Sequence, residues 1–288
     1  MKIPSTFSDC SIIILVTLAL IFNTAMKSVK DKIFWITGAS SGIGKSLTEQ
    51  VLSKGAKVVL SGRNEAALKQ VAEPYDRNNT FILPFDLSEI GDVDSMVNKV
   101  IERFGRIDFL INNGGISQRS LAEETPVEVD RKVFEINFFG NITLTKAVLP
   151  VMIKQKEGHI AVTSSVVGKF GFPLRSAYAA SKHALHGFYE SLRAENFKHN
   201  IKVSMIIPGR INTNISVNAV TKDGSKHGQM DPGQASGMTS DKAARVILRK
   251  ILKGRKEIVV GKIDVIMVYI RRFLPFLFYY LSTKIDPK

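Results

Sequence analysis

Cysteine is almost absent from this 288-residue chain, and the single thiol, Cys10, excludes an intramolecular disulfide. With no cysteine cluster and only five scattered histidines, a structural zinc site has no ligand set to draw on. Acidic residues are scarce too: 26 Asp and Glu face 40 Lys and Arg, for a formal net charge of +14. The surplus is uneven, because residues 241–288 carry 12 basic and 4 acidic side chains, or +8. A basic surface suits nucleic acid or an anionic membrane. Here the basic tail is interleaved with Ile, Val, Leu, Phe and Tyr, and no helix-turn-helix or RNA-binding signature occurs. A membrane partner is therefore expected and a nucleic acid is not. A charged fraction of 23% beside a hydrophobic fraction of 44% excludes a disordered chain and allows one sizeable core.

What is present begins with an apolar run, SIIILVTLALIF, at residues 11–22. As a helix, residues 10–26 would span roughly 25 Å, slightly short of a hydrocarbon core of about 30 Å. A cleaved signal peptide, a single anchor and an ordinary core helix all compete for such a run. It shows no polar stripe before Asn23 and no A-x-A cleavage site after it, so an uncleaved anchor is expected over residues 1–29. Lys27, Lys30 and Lys32 follow the run and Lys2 precedes it, which places the main domain on the cytosolic side.

Residues 32–37 (KIFWIT) read as a strand, and TGASSGIGKSL follows as a glycine-rich turn opening a helix. Gly38, Gly42 and Gly44 would let a dinucleotide's pyrophosphate approach the backbone, with the helix N-terminus stabilising its charge and Ser40 and Ser41 adding donors. A second strand, 57–61, ends in Gly62-Arg63-Asn64. A site selective for NAD usually puts an acid there for the ribose hydroxyl, whereas a 2′-phosphate prefers Arg, so NADP(H) is expected over NAD(H).

Further strands at 80–85, 107–111, 159–163 and 202–207 alternate with helices at 93–104, 127–148 and 178–192. This alternation predicts an α/β fold, a single Rossmann-type doubly wound parallel sheet with helices on both faces. Its polar motifs all follow strands, so they should gather on the carboxyl edge where ligands bind. Residues 214–239 are polar and glycine-rich, and read as an unstructured substrate loop or lid. A helix at 240–253 and an edge strand at 257–260 follow. The tail, 263–281, is apolar but broken by Arg271, Arg272 and Pro275, which suits a helix lying in a membrane interface or capping a substrate channel better than a span.

One stretch carries the chemistry. In GHIAVTSSVVGKFGFPLRSAYAASKHALHGFYESL (158–192), Ser164 and Ser165 end a strand, and Tyr178 and Lys182 share one helix face. A Lys ammonium beside a phenol lowers its pKa, so Tyr178 could exchange a proton with a substrate oxygen that Ser165 holds. The Tyr-x-x-x-Lys spacing alone also fits an amphipathic helix with a core Tyr and a solvated Lys.

Taken together, these residues resemble the classical branch of the short-chain dehydrogenase/reductase family over about residues 30–262. Thr37, Gly38, Gly42 and Gly44 meet its TGxxxGxG pattern, and Asn112, Asn113 and Gly115 match its NNAG segment, with Gly114 replacing Ala and loosening the turn. The resemblance implies a catalytic tetrad of Asn137, Ser165, Tyr178 and Lys182. Asn137 would hold a relay water, and Lys182 would bind the nicotinamide ribose and lower the pKa of Tyr178. It further implies cofactor contacts at Ile43, Arg63, Asn64, Asp86, Leu87, Asn113, Gly115, Pro208, Gly209 and Thr213. The anchor, the 164–185 stretch and the DPGQASGM loop resemble that family's membrane-associated member 7-like branch. The implied function is NADP(H)-dependent interconversion of a hydrophobic carbonyl compound and its secondary alcohol, by a homodimer or homotetramer on an intracellular membrane such as the endoplasmic reticulum. Two rivals are a membrane-bound NADP(H)-binding protein without turnover and a serine hydrolase using Ser40, since Gly38-Ala39-Ser40-Ser41-Gly42 also fits G-x-S-x-G.

Overall fold

The computed structural model describes residues 28–282 and 284, so the apolar run expected to anchor the chain lies outside the described residues. In chain order the main elements are β1 (Ile33–Thr37), α1 (Gly42–Leu52), β2 (Lys57–Ser61), α2 (Glu65–Ala72), β3 (Thr80–Ile82), α3 (Val93–Phe104) and β4 (Phe109–Asn112). There follow α4 (Val127–Phe134), a π-helical turn (Glu135–Phe139), α5 (Gly140–Gln155), β5 (Gly158–Thr163), α6 (Ser176–Glu195) and β6 (Ile201–Pro208). The last part contains β7 (Ile211–Asn212), α7 (Pro232–Ala235), β8 (Met238–Thr239), α8 (Ser240–Leu252), β9 (Glu257–Val260), α9 (Ile266–Phe273) and α10 (Pro275–Ser282).

Seven parallel strands pair in the order β3-β2-β1-β4-β5-β6-β9. The order reverses between β1 and β4, which opens a crevice at their carboxyl ends. Side chains alternate across each strand, so both sheet faces are apolar and each takes a layer of helices. Phe34, Ile36, Val58 and Leu60 pack with Leu47 and Val51 of α1, Leu68 of α2 and Ile247 of α8. On the other face Trp35, Leu110, Ile160 and Val162 pack with Val100 of α3, Leu144, Val148 and Met152 of α5, and Leu185 and Tyr189 of α6. The expected doubly wound sheet with helices on both faces is what forms.

Several boundaries differ from expectation for local reasons. The strand expected at 80–85 ends at Ile82 because Pro84 has no N–H, yet Leu83 and Phe85 still donate to Leu60 and Gly62. The structure adds α2, whose first turn is capped by Asn64 Oδ1 accepting from Ala67 N at 3.0 Å. The helix expected over 127–148 is interrupted by the π turn around Asn137 and runs on to Gln155. By length and composition this 29-residue helix, Val127–Gln155, could cross a membrane, but Leu144, Val148 and Met152 are fully buried against the sheet. Residues 214–239, expected to be unstructured, instead hold α7 and β8, and Val220 bridges to Gln118. Backbone pairing of that loop with the 117–119 segment supplies the order that its composition does not.

A buried polar knot joins β4, α5 and α6. Asn112 Nδ2 donates to Thr145 Oγ1 at 2.7 Å and to Tyr189 Oη at 3.0 Å, and the two hydroxyls lie 2.7 Å apart. Tyr189→Phe removes one member of this fully buried set and should cost about 1 kcal/mol in urea unfolding. An unchanged midpoint would show that the knot contributes nothing to stability.

Candidate active site

The first half of the site is the turn between β1 and α1. Gly38 and Gly42 have φ of +65° and +54°, conformations that side chains rarely adopt. A Cβ at Gly44 would overlap the Gly38 carbonyl oxygen and lie 2.6 Å from Asn113 Nδ2, so the helix can start this close to the strand only with glycine. No side chain caps α1, because Ser41 at its N-cap makes no such bond, and the first amides stay open toward the crevice. Thr213 leans over Gly42, its Cγ2 lying 2.9 Å from where a Cβ would be.

Thr37 ties this turn to β4. Its Oγ1 accepts from Asn113 N at 3.0 Å and Gly114 N at 2.9 Å, while Asn113 Nδ2 donates to the Thr37 carbonyl at 3.2 Å. Gly114 does not loosen this turn as expected, because Leu87 Cδ1 lies 2.6 Å from the position an Ala Cβ would take and fills that space.

A small cavity of about 110 Å³ lies beyond, lined by residues including Ser40, Gly62, Arg63, Asp86 and Leu87. Ser61 Oγ is taken by Trp35 Nε1 at 2.9 Å, and Gly62 offers no side chain. Arg63 is therefore the polar side chain at the end of β2 that faces this cavity; it is 61% exposed and 3.8 Å from Asp86. An ion pair this exposed and this loose holds Arg63 weakly. The Asn64 side chain is committed to capping α2.

The second half lies on β5 and α6. Ser165, Tyr178 and Lys182 all line one large cavity of about 510 Å³, together with Gly38, Ser41, Asn113, Gly115, Pro208, Gly209 and Thr213 from the cofactor motifs. Ser165 Oγ accepts from Val167 N at 3.4 Å and donates to the Pro208 carbonyl at 3.5 Å, and it stands close enough to the Tyr178 phenol to favour its ionised form. Lys182 Nζ donates to the Thr163 carbonyl at 2.8 Å and sits 5.7 Å from the centre of the Tyr178 ring. Asn137, at the π turn, is fully buried; its Oδ1 accepts from Ile116 N at 2.8 Å, and its Nδ2 donates to Ile116 O at 2.9 Å and Ser181 Oγ at 3.1 Å. The Asn137 side-chain amide thus fastens the Gly115–Ile116 backbone. A Cβ at Gly115 would lie 2.8 Å from Asn137 Oδ1 and 3.4 Å from Lys182 Nζ.

The electrostatics differ from the expectation that Lys182 makes Tyr178 acidic. Burial pushes the phenol up, and the groups opposing it are the Ser165 hydrogen bond, Arg119 and Arg175. Burial also holds the Lys182 ammonium down at about 8. Below that pH Lys182 stays charged beside the ring, and Arg119 and Arg175 add to the positive field on the phenol.

Three side chains in this cavity carry no sequence motif: Arg119, Arg175 and Asp231. Arg119 Nη2 and Arg175 Nη2 reach Asp231 Oδ2 at 2.6 and 3.1 Å. Gln118, fully buried, accepts through Oε1 from Ala177 N at 2.9 Å and Tyr178 N at 3.3 Å, and so sets the first turn of α6. Arg175 lies 56 residues from Asp231, and Arg119 lies 112 residues from it, and no spacing rule joins them. The tail also reaches the site: Ile263, Asp264 and Met267 line the cavity, and Phe278 packs on Phe170 with ring centres 5.2 Å apart. Ser40 faces the small cavity, and among the described residues no hydrogen bond joins it to a histidine, as a hydrolase would require.

A family model described as "short chain dehydrogenase" matches residues 32–224. The chain is 42% identical to Dehydrogenase/reductase SDR family member 7B of Xenopus tropicalis over 260 residues, 87% of this chain and 84% of that one. It is 42% identical to Dehydrogenase/reductase SDR family protein 7-like of Drosophila melanogaster over 260 residues, 88% and 80% of the two chains. A short-chain dehydrogenase from Streptomyces avermitilis superposes with a TM-score of 0.76 at 27% identity, covering 89% of this chain and all 100% of that one. The fold is likewise that of a Burkholderia phymatum short chain dehydrogenase/reductase solved in complex with NAD, at a TM-score of 0.75 and 23% identity, over 91% and 98% of the chains.

Burial of Lys182 has a measurable consequence. Below pH 8 the folded and unfolded chains both carry its charge, and the fold bears the full desolvation cost. Between about 8 and 10.5 the folded chain loses that proton first, so stability contributed at this site rises with pH. The interval corresponds to about 3 kcal/mol, part of which the Thr163 bond already offsets. Lys182→Met should therefore be at least as stable as the parent in urea at pH 7, with the difference shrinking by pH 10. A variant clearly less stable at pH 7 would contradict this.

Proposed function

The chain belongs to the short-chain dehydrogenase family and is an NAD(P)-dependent oxidoreductase; we propose that it uses NADP(H) to interconvert a hydrophobic carbonyl compound and its secondary alcohol, with Tyr178 as general acid/base. The observation that carries this reading is the convergence of Ser165, Tyr178 and Lys182 in the cavity that the Gly38–Gly44 turn also lines. The turn fits the cofactor, since it presents uncapped helix amides and a backbone cradle that a Cβ would fill. Thr37, Gly38, Ser41, Gly42, Ile43 and Gly44 would hold the pyrophosphate, and Asp86 and Leu87 the adenosine end. Lys182 and Thr213 would hold the nicotinamide end. When bound, the cofactor supplies a hydride to, or takes one from, the carbon bearing the reacting oxygen.

In the reductive direction the phenol of Tyr178 gives its proton to that oxygen while Ser165 Oγ hydrogen-bonds and polarises it. Arg119 and Arg175 stabilise the phenolate left behind. Lys182, with its pKa near 8, can return a proton to the site at neutral pH. Asn137 acts one step back, by clamping the Gly115–Ile116 backbone beside Lys182.

Arg63 supports NADP(H), because it is held only loosely and no acid stands at the end of β2 to take a ribose hydroxyl. The apolar substrate is supported by Val167, Phe170, Ile215 and Met267 along the cavity. Membrane association through residues 10–26 and the tail is part of the same reading, supported by Phe273 and Phe276, 69% and 88% exposed, beside Arg271 and Arg272. Exposed Val127 and Phe139 along α4 and the π turn support self-association through that helix.

Tyr178→Phe should lower turnover of a carbonyl panel by about two to four orders of magnitude while NADPH binding stays within a few-fold. Retained activity would remove Tyr178 from the proton step. NADPH should bind more tightly than NADH, and Arg63→Ala should weaken NADPH by about 10- to 100-fold while leaving NADH unchanged. A preference for NADH in the parent would refute the cofactor choice.

A further inference from the structure

A phenolate formed transiently at Tyr178 does not balance the standing charge in the cavity wall. The side chains of Arg119 and Arg175 are only 7% and 13% exposed, and they share a single carboxylate, Asp231. Two guanidiniums against one carboxylate leave one positive charge without a counter-ion in a largely desolvated place, which is costly. His227, 3.7 Å from Asp231 Oδ1, brings no negative charge, and the Tyr178 phenol beside Arg175 is neutral because burial raises its pKa.

The two arginines are not equally occupied. Arg119 is spent, with Nε and Nη2 on Asp231 and Nη1 on Ser117 Oγ at 2.7 Å and the Gln118 carbonyl at 2.6 Å. Arg175 donates once to Asp231 and once to the Pro173 carbonyl at 3.1 Å. Three of a guanidinium's five N–H groups then have no partner among the described residues. The Arg175 guanidinium stacks on the Phe172 ring at 4.9 Å, which fixes the plane of the fork. It also stands at the N-cap of the 20-residue α6, where the helix dipole adds to its field. Burial and the neighbouring Arg119 push Arg175 down to about 10, as expected for a cation short of negative charge.

We infer that Arg175, backed by Arg119, is a subsite for an anionic group of the substrate, a carboxylate or a phosphate carried on an apolar chain. Such a group brings the cluster to two positive and two negative charges and uses the open donors of a bidentate fork. Tyr178 lies one helical turn from Arg175, so an anion held there sets the reacting oxygen only a few bonds from the charged end. Val167, Phe170, Ile215 and Met267 then receive the remainder of the chain. Asp231 sits on the loop over the cavity and competes with the ligand for the same donors. The inference rests on the oxidoreductase reading and narrows its substrate class to acidic carbonyl compounds and their alcohols.

The test is calorimetric titration of octanoate, octyl phosphate and octanol into the full chain saturated with NADPH. At least one of the two anions should bind about 10-fold or more tightly than octanol, and the better of them identifies the group. Arg175→Gln should abolish that preference with NADPH binding kept, which shows the variant is folded. Asp231→Asn should instead tighten the anions, a change that misfolding cannot produce. Octanol binding as tightly as both anions, no binding of any probe, or an undiminished preference in Arg175→Gln overturns the subsite. In those cases intact NADPH binding leaves the oxidoreductase reading standing, whereas loss of NADPH binding by the parent chain overturns both.

Discussion

The clamp between Thr37 and Asn113 is the constraint on which the rest of the site depends. β1 and β4 are neighbours in the sheet, but the clamped residues Thr37 and Asn113 are 76 residues apart in sequence, and the strands diverge at their carboxyl ends because the sheet's connections reverse there. Two bonds from the Asn113 and Gly114 amides to the Thr37 hydroxyl, and one from the Asn113 side chain to the Thr37 carbonyl, hold that divergence to one width. The glycine turn before α1 is folded against one side of the clamp, and a Cβ at Gly44 would meet both Gly38 and Asn113. The Gly115–Ile116 backbone continues from the other side, gripped by Asn137. The proposed cofactor cradle and proton-transfer residues are therefore registered to each other through one polar clamp between strands.

Desolvation is the second organising force, and it acts on three ionisable groups around the candidate site. It raises Tyr178, lowers Lys182 and lowers Arg175. The fold tolerates this because the ammonium donates to the Thr163 carbonyl and the guanidinium to Asp231, bonds that their charge strengthens. What is left is an excess of positive potential around Tyr178. That excess eases proton loss from the phenol and favours a negatively charged ligand, so the proposed proton transfer and the proposed anion subsite would draw on the same two arginines.

The elements that the sequence revealed are those governed by local rules. Helix α3 and strands β2 and β9 have the limits their periodicity predicts, and the glycine turn lies where a strand gives way to an amphipathic helix. Ser165, Tyr178 and Lys182 follow one strand and its helix, so their convergence was legible too. Asn137 was legible as a position but not as a geometry. The π turn that buries it arises where a long helix must bend over the sheet, and nothing in EINFF marks that turn.

The sequence by itself determined the fold class, the order of the motifs and the edge of the sheet on which they gather, because period, turn chemistry and strand–helix alternation are short-range properties. It also pointed to Arg63, through the absence of an acid after β2. Only the tertiary structure decided which cations act on Tyr178, what fills the space beside Gly114, and that the loop 214–239 and the tail form walls of the same cavity. Arg119, Arg175 and Asp231 come from a loop after β4, the N-terminus of α6 and the segment before α7. Their meeting is a product of packing between distant segments, and electrostatic effects depend on that distance and burial rather than on residue type.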